Sequence, residues 1–116
     1  MMDFKRISTE AAKELLDSGR TVFADIRDEF AFKRSHIPQA IHLHSHNLQD
    51  FIDNTDPEAP VVVYCYHGHS SLNAARYLCE KGFAEVYSLD GGFEQWQQQF
   101  PESTSSYGAT QPVQCA

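Results

Sequence analysis

Basic residues are scarce in this sequence: nine lysines and arginines stand against sixteen aspartates and glutamates, a formal net charge of −7 at pH 7 with histidine neutral. A nucleic acid or an anionic membrane surface needs a basic face, so neither is expected as a partner. Long apolar runs are missing as well, and none approaches the ~20 residues of a membrane-spanning helix. The opening stretch, MMDFKRISTE, has no apolar segment after its first lysine and arginine and does not read as a secretory signal. A soluble, cytoplasmic protein is the expectation. Cysteine is sparse too: Cys65, Cys79 and Cys115 are widely and irregularly spaced, which argues against a disulfide framework. Gly68 stands where a C-x-x-C motif from Cys65 would need its second cysteine, so neither a thioredoxin-like dithiol nor a zinc ribbon is indicated. Free thiols in a reducing compartment remain. There is no internal repeat, and 116 residues with 41% hydrophobic and 22% charged content suit one packed domain.

What is present alternates. DFKRI reads as a short strand, and Ser8 as the N-cap of a helix TEAAKELLDS closed by Gly19, with Ala12, Leu15 and Leu16 on one face. TVFADI (21–26) reads as a strand, DEFAFKRS as a short helix ended by the turn at Pro38, AIHL as a strand, and SHNLQDFIDN as a helix beginning near Ser45. VVVYC (61–65) is apolar without alternation, the mark of a central parallel strand covered on both faces. SLNAARYLCEKG follows as a helix with Leu72, Ala75, Leu78 and Cys79 inward and Gly82 as its stop signal; EVYSL is a strand, DGG a turn, and FEQWQQQF a helix with Phe93, Trp96 and Phe100 as its stripe. Residues 1–100 are expected to form the domain, and the polar stretch 101–116 a flexible tail. The fold expected is a small α/β domain whose mainly parallel sheet is flanked by helices on both faces.

In such sheets, sites lie at the carboxyl ends of strands, and Cys65 ends the most apolar one. A free thiol, with a pKa of about 8.5, is only partly ionised at neutral pH. The short loop YHGHSS can change that, because backbone N–H groups wrapped round the sulfur, together with a helix N-terminus, favour the anion. Gly68 permits the tight turn, and Ser70 and Ser71 can cap the helix or hydrogen-bond an anion on the sulfur. The loop also limits the chemistry. Cysteine phosphatases need an arginine six residues after the cysteine to grip the phosphoryl oxygens; here that residue is Ser71, and the first arginine is Arg76, inside the helix.

Three other groups bear on the chemistry. Asp25 and Arg27 fall on the same sheet edge as Cys65 and are expected to pin loops by pairing with one another. His42, His44 and His46 alternate in HLHSH; a three-histidine metal site is the sharper reading and surface histidines the expected one. Asp90-Gly91-Gly92 reads as a turn permitting close backbone approach. Cys79 reads as a packed helix residue, and Cys115 as a tail thiol open to adventitious oxidation.

Three stretches, DIRDEFAFKRSHIPQAIHL (25–43), VVVYCYHGHSS (61–71) and VYSLDGGFEQW (86–96), occur in an order and spacing that resembles the rhodanese family, and within it the single-domain thiosulfate sulfurtransferases of the GlpE type, over about residues 3 to 109. The resemblance implies that Cys65 takes the outer sulfur of thiosulfate as a persulfide and passes it to cyanide or a thiol acceptor, such as a thioredoxin-like dithiol protein. It implies no metal or organic cofactor. It assigns Tyr66, His67, Gly68, His69 and Ser70 to the loop whose amides cradle the sulfur. Many relatives place basic side chains in this loop, whereas this one has Tyr66, His67, His69 and Ser70; weak donor affinity, on the order of millimolar or above, is therefore expected. The alternatives are 3-mercaptopyruvate as donor, a persulfide carrier serving a protein partner, and a non-catalytic binding domain; arsenate reductase or phosphatase activity fits poorly with Ser71.

Overall fold

The computed structural model describes residues 4–106. Among the described residues five strands and five helices alternate: β1 (Lys5–Ile7), α1 (Thr9–Ser18), β2 (Val22–Asp25), α2 (Glu29–Arg34), β3 (Ile41–His42), α3 (Leu48–Asn54), β4 (Val61–Tyr64), α4 (Ser70–Glu80), β5 (Val86–Leu89) and α5 (Gly92–Gln99). All strand pairings are parallel, in the order β1-β5-β4-β2-β3. The expected α/β fold is thus present.

β4 is central because its sequence allows nothing else. Val61, Val62, Val63 and Tyr64 are all fully buried, and each valine removed from water contributes roughly 1.5–3 kcal/mol. Alternate side chains point to opposite faces. Val61 and Val63 pack with Phe51 of α3 and Ala75, Leu78 and Cys79 of α4. Val62 and Tyr64 pack on the other face with Ala12 of α1 and Phe93 and Trp96 of α5. Cys65 follows Val63 in this alternation and so comes under the first turn of α4.

The helix ends follow local chemistry. Ser8 caps α1 by accepting the Ala11 N–H at 3.1 Å, and Gly19 ends it in the left-handed region at φ 79. Asp28 caps α2 through the Ala31 N–H at 2.8 Å. α3 starts later than Ser45. The Asn47 side chain accepts the His44 N–H at 2.8 Å and donates to the His42 carbonyl at 2.8 Å, closing a turn that competes with helix before Leu48. In α4 the expected inward face also shifts at its start: Ser71 is fully buried and Leu72 only half-buried, because the first turn covers Cys65 rather than the apolar core. In α5, Phe93 and Trp96 are buried and Phe100 half-buried.

Of the stretch expected as a tail, residues 101–106 are tied back. Ser105 and His36 exchange backbone hydrogen bonds of 2.9 and 2.8 Å, the Trp96 indole donates to the Ser103 carbonyl at 2.9 Å, and Ser106 Oγ donates to the Arg34 carbonyl at 2.8 Å. This strap holds α2 beside α5. Cys115 and the rest of the tail lie outside the described residues. Among the described residues, no helix is long and apolar enough to cross a membrane.

Candidate active site

Cys65 is the first residue past β4 and is 7% exposed. Its sulfur accepts the Gly68 N–H at 3.2 Å and the Ser71 N–H at 3.4 Å, and the Ser71 hydroxyl lies 3.5 Å away. The His67 amide also turns toward the sulfur and favours its anion. Burial acts most strongly on this thiol and raises its pKa. The Ser71 hydroxyl and the amides of Ser71, Gly68 and His67 together outweigh it, so the net effect is downward. Among the described residues, the groups that favour the thiolate are amides and a hydroxyl.

The amides face inward because α5 holds the carbonyls outward. The Phe93 N–H donates to the Cys65 carbonyl at 2.9 Å and the Glu94 N–H to the Tyr66 carbonyl at 3.0 Å. The DGG turn does permit close approach. Gly92 sits at φ +60, where an added Cβ would come within 2.4 Å of the Tyr66 carbonyl oxygen. Gly68 sits at φ +96, where a Cβ would press on the Gly91 amide at 3.0 Å. Both positions require glycine for conformation and for space. His67 is tied to the same helix, with Nδ1 2.7 Å from Glu94 Oε1.

Of the five loop residues expected around the sulfur, His67 and Gly68 contribute amides. Tyr66 and Ser70 line the cavity above it. His69 is the exposed residue before α4 and makes no side-chain cap. The third amide is Ser71's, one residue beyond the expected set. Ser71 was legible as a serine able to cap the helix or hydrogen-bond an anion on the sulfur, and its buried position shows amide and hydroxyl both turned to the sulfur itself. Behind it lies Ser88 of β5, 1% exposed, with its hydroxyl 2.8 Å from Ser71 Oγ. A serine between Tyr87 and Leu89 in the mostly buried strand VYSL was the available signal.

The cavity, about 560 Å³, opens between the loop and α2. Arg27 reaches it with Nε and Nη2 engaged and its charge paired with Asp25. Its guanidinium forks onto Asp25, with N···O distances of 2.7 to 3.2 Å, donates to the Ser35 carbonyl at 2.6 Å, and rests 4.3 Å from the Phe93 ring centroid. Asp25 is fully buried. The pair fastens the β2–α2 loop to the site, the architectural role expected for it. A second cation lining the cavity is Arg34, missed in the sequence because it comes from α2; its guanidinium lies 5.2 Å from the ring of Phe30, which is 72% exposed. The carboxylate on the same wall is Asp28.

The histidine run does not converge on a centre. His42 Nε2 bonds the Arg27 carbonyl at 2.7 Å, and His44 Nδ1 accepts the His46 N–H at 3.2 Å. Among the described residues, no group of three or more His, Cys, Asp or Glu is arranged to hold a metal ion. Cys79 is buried in α4.

Residues 8–99 match the family model of the rhodanese-like domain. Thiosulfate sulfurtransferase GlpE of Ectopseudomonas mendocina is 52% identical over 105 residues, covering 90% of this chain and 95% of its own. Thiosulfate sulfurtransferase GlpE of Pseudomonas putida is 50% identical over 109 residues, covering 94% of this chain and 99% of its own. Among solved structures, the rhodanese-like domain of an Anabaena protein superposes with a TM-score of 0.76 at 20% identity, over 96% of this chain and 86% of that one; at that identity the likeness is one of fold.

Proposed function

The chain belongs to the rhodanese-like domain family, and we propose that it is a thiosulfate:cyanide sulfurtransferase with Cys65 as the covalent sulfur carrier. The observation that carries this reading is the Cys65 sulfur set among inward-turned amides at the floor of an open cavity. Relatives at about 50% identity bear the name thiosulfate sulfurtransferase.

The Cys65 thiolate attacks the outer sulfur of thiosulfate. The new S–S bond forms as the old one breaks, and sulfite leaves with the electron pair. The terminal sulfur of the persulfide is then the anion that the cradle holds, with the amides of His67, Gly68 and Ser71 as donors and Tyr66, Ser70 and the exposed His69 around its approach. Cyanide, or a thiol such as that of a thioredoxin-like protein, attacks that terminal sulfur and restores the thiolate. No electrons are gained or lost overall, and the reading assigns no cofactor a part. A cytoplasmic setting belongs to it, because a free thiolate persists in a reducing compartment.

The donor is a dianion, and the loop offers it no fixed cationic side chain. Arg34 is placed to supply one, because Arg27 is committed to Asp25. Initial rates at varied thiosulfate and cyanide should give parallel double-reciprocal lines, the pattern of a two-step exchange. Arg34→Gln should raise KM for thiosulfate about fivefold with kcat unchanged, the effect of removing about 1 kcal/mol of partly exposed charge attraction. An unchanged KM would leave the donor to the amides alone. Thiocyanate formed from 3-mercaptopyruvate but not from thiosulfate would name the other donor. A persulfide that forms yet is not passed to any small acceptor would make the chain a carrier for a protein partner.

A further inference from the structure

We propose that Ser88 is a positioning residue, whose buried hydroxyl acts through Ser71 to aim the Ser71 hydroxyl at the Cys65 sulfur. Resting on Cys65 as the nucleophile, the inference concerns how its ionisation is set.

The three groups form a line: Ser88 Oγ lies 2.8 Å from Ser71 Oγ, which lies 3.5 Å from Cys65 Sγ. Ser71 and Ser88 are 0% and 1% exposed, so bulk solvent does not reach the line. Two arrangements of the hydroxyl protons exist. In one, the thiol donates to Ser71 and Ser71 donates to Ser88. The Ser88 proton then has nowhere to go, since its one side-chain hydrogen bond among the described residues is to Ser71. An orphaned buried donor is costly. In the other, Ser88 donates to Ser71 and Ser71 donates to the sulfur. Every proton is placed, and the sulfur receives a donor that suits a thiolate. The buried serine therefore biases the line toward the arrangement that favours ionisation. When the thiol ionises, its proton leaves to solvent and two hydroxyls rotate. No proton passes along the line.

Other charged and titratable groups surround the site. Arg27 and Asp28 face the cavity from the loop between β2 and α2 and Arg34 from α2, and Tyr64 precedes Cys65 on β4. His67 and His69 lie in the loop, with Glu94 of α5 on His67. Arg6 of β1 pairs in register with Ser88 and carries Asp90. Substitutions at the two serines leave all of these in place, so differences between the variants report the line itself.

The test is the pH profile of Cys65 alkylation by iodoacetamide, read on the Cys65 peptide by mass spectrometry in the full chain, with melting temperatures as the fold control. It needs no turnover, so its failure is separable from failure of the sulfurtransferase reading. Ser88→Ala should move the midpoint upward and slow alkylation near neutral pH roughly three- to tenfold. Ser88→Cys, a weaker donor of similar size, should fall between wild type and Ser88→Ala, and it carries the same comparison should alanine lower the melting temperature. In a Ser71→Ala background the Ser88→Ala change should have no further effect, the non-additivity of residues acting as a unit. A Ser88→Ala midpoint equal to or below wild type would overturn the proposal. So would an equal shift in both backgrounds.

Discussion

Replacing Cys65 with serine removes sulfur transfer, with an expected loss in kcat on the order of 10⁴ or more, the scale seen when a covalent nucleophile is deleted. The amides that favour the thiolate remain, but a serine hydroxyl stays protonated at neutral pH and forms no persulfide. The fold should be unaffected, because oxygen fits where sulfur packs and Ser71 and Gly68 can donate to it. Turnover of thiosulfate with cyanide measures the loss, and a melting temperature near wild type assigns it to chemistry. Retention of even a tenth of the activity would place the nucleophile elsewhere, with Cys79 and Cys115 to be examined in turn.

Gly92→Ala should cost about 100-fold in kcat/KM, although residue 92 touches neither sulfur nor cavity. Its Cβ would lie 2.4 Å from the Tyr66 carbonyl oxygen and 2.7 Å from the Cys65 carbonyl oxygen. Both contacts are with backbone, so no side chain can swing away. The positive φ adds strain. Relief requires the loop to move off α5, breaking the bonds from Phe93 and Glu94 that turn its amides inward. A misplacement of about 1 Å at a reacting group has this scale of consequence. Cys65 alkylation should shift to higher pH in the same variant, because the amides lose their aim. Wild-type rates and an unchanged alkylation profile would show that the α5 contacts do not set the loop.

The sequence made the fold legible where local chemistry and burial agree. The unbroken apolar run of β4 announced a central strand, Ser8 and Gly19 bounded α1, and the abrupt change after Cys65 marked the end of a strand where sites gather. The site was legible only along the chain. Gly68 was readable from its turn, but the amides that reach the sulfur belong to His67, Gly68 and Ser71, a set fixed by how α5 grips the loop. Ser88 and Arg34 come from β5 and α2; a serine within the buried strand VYSL marks Ser88 as unusual, but nothing in the sequence around either residue names Cys65 as its neighbour. The fold-back of residues 101–106 depends likewise on a pairing of Ser105 with His36 across 69 positions, and a polar composition carries no sign of it.

The most direct measurement is the intact mass of the protein after thiosulfate and again after cyanide, beside Cys65→Ser. Wild type should gain one sulfur atom, lose it to cyanide, and leave the serine variant unchanged throughout. A serine variant that still gains and surrenders the sulfur would contradict the assignment of Cys65 as its carrier, and a wild type that gains nothing would contradict thiosulfate as its donor.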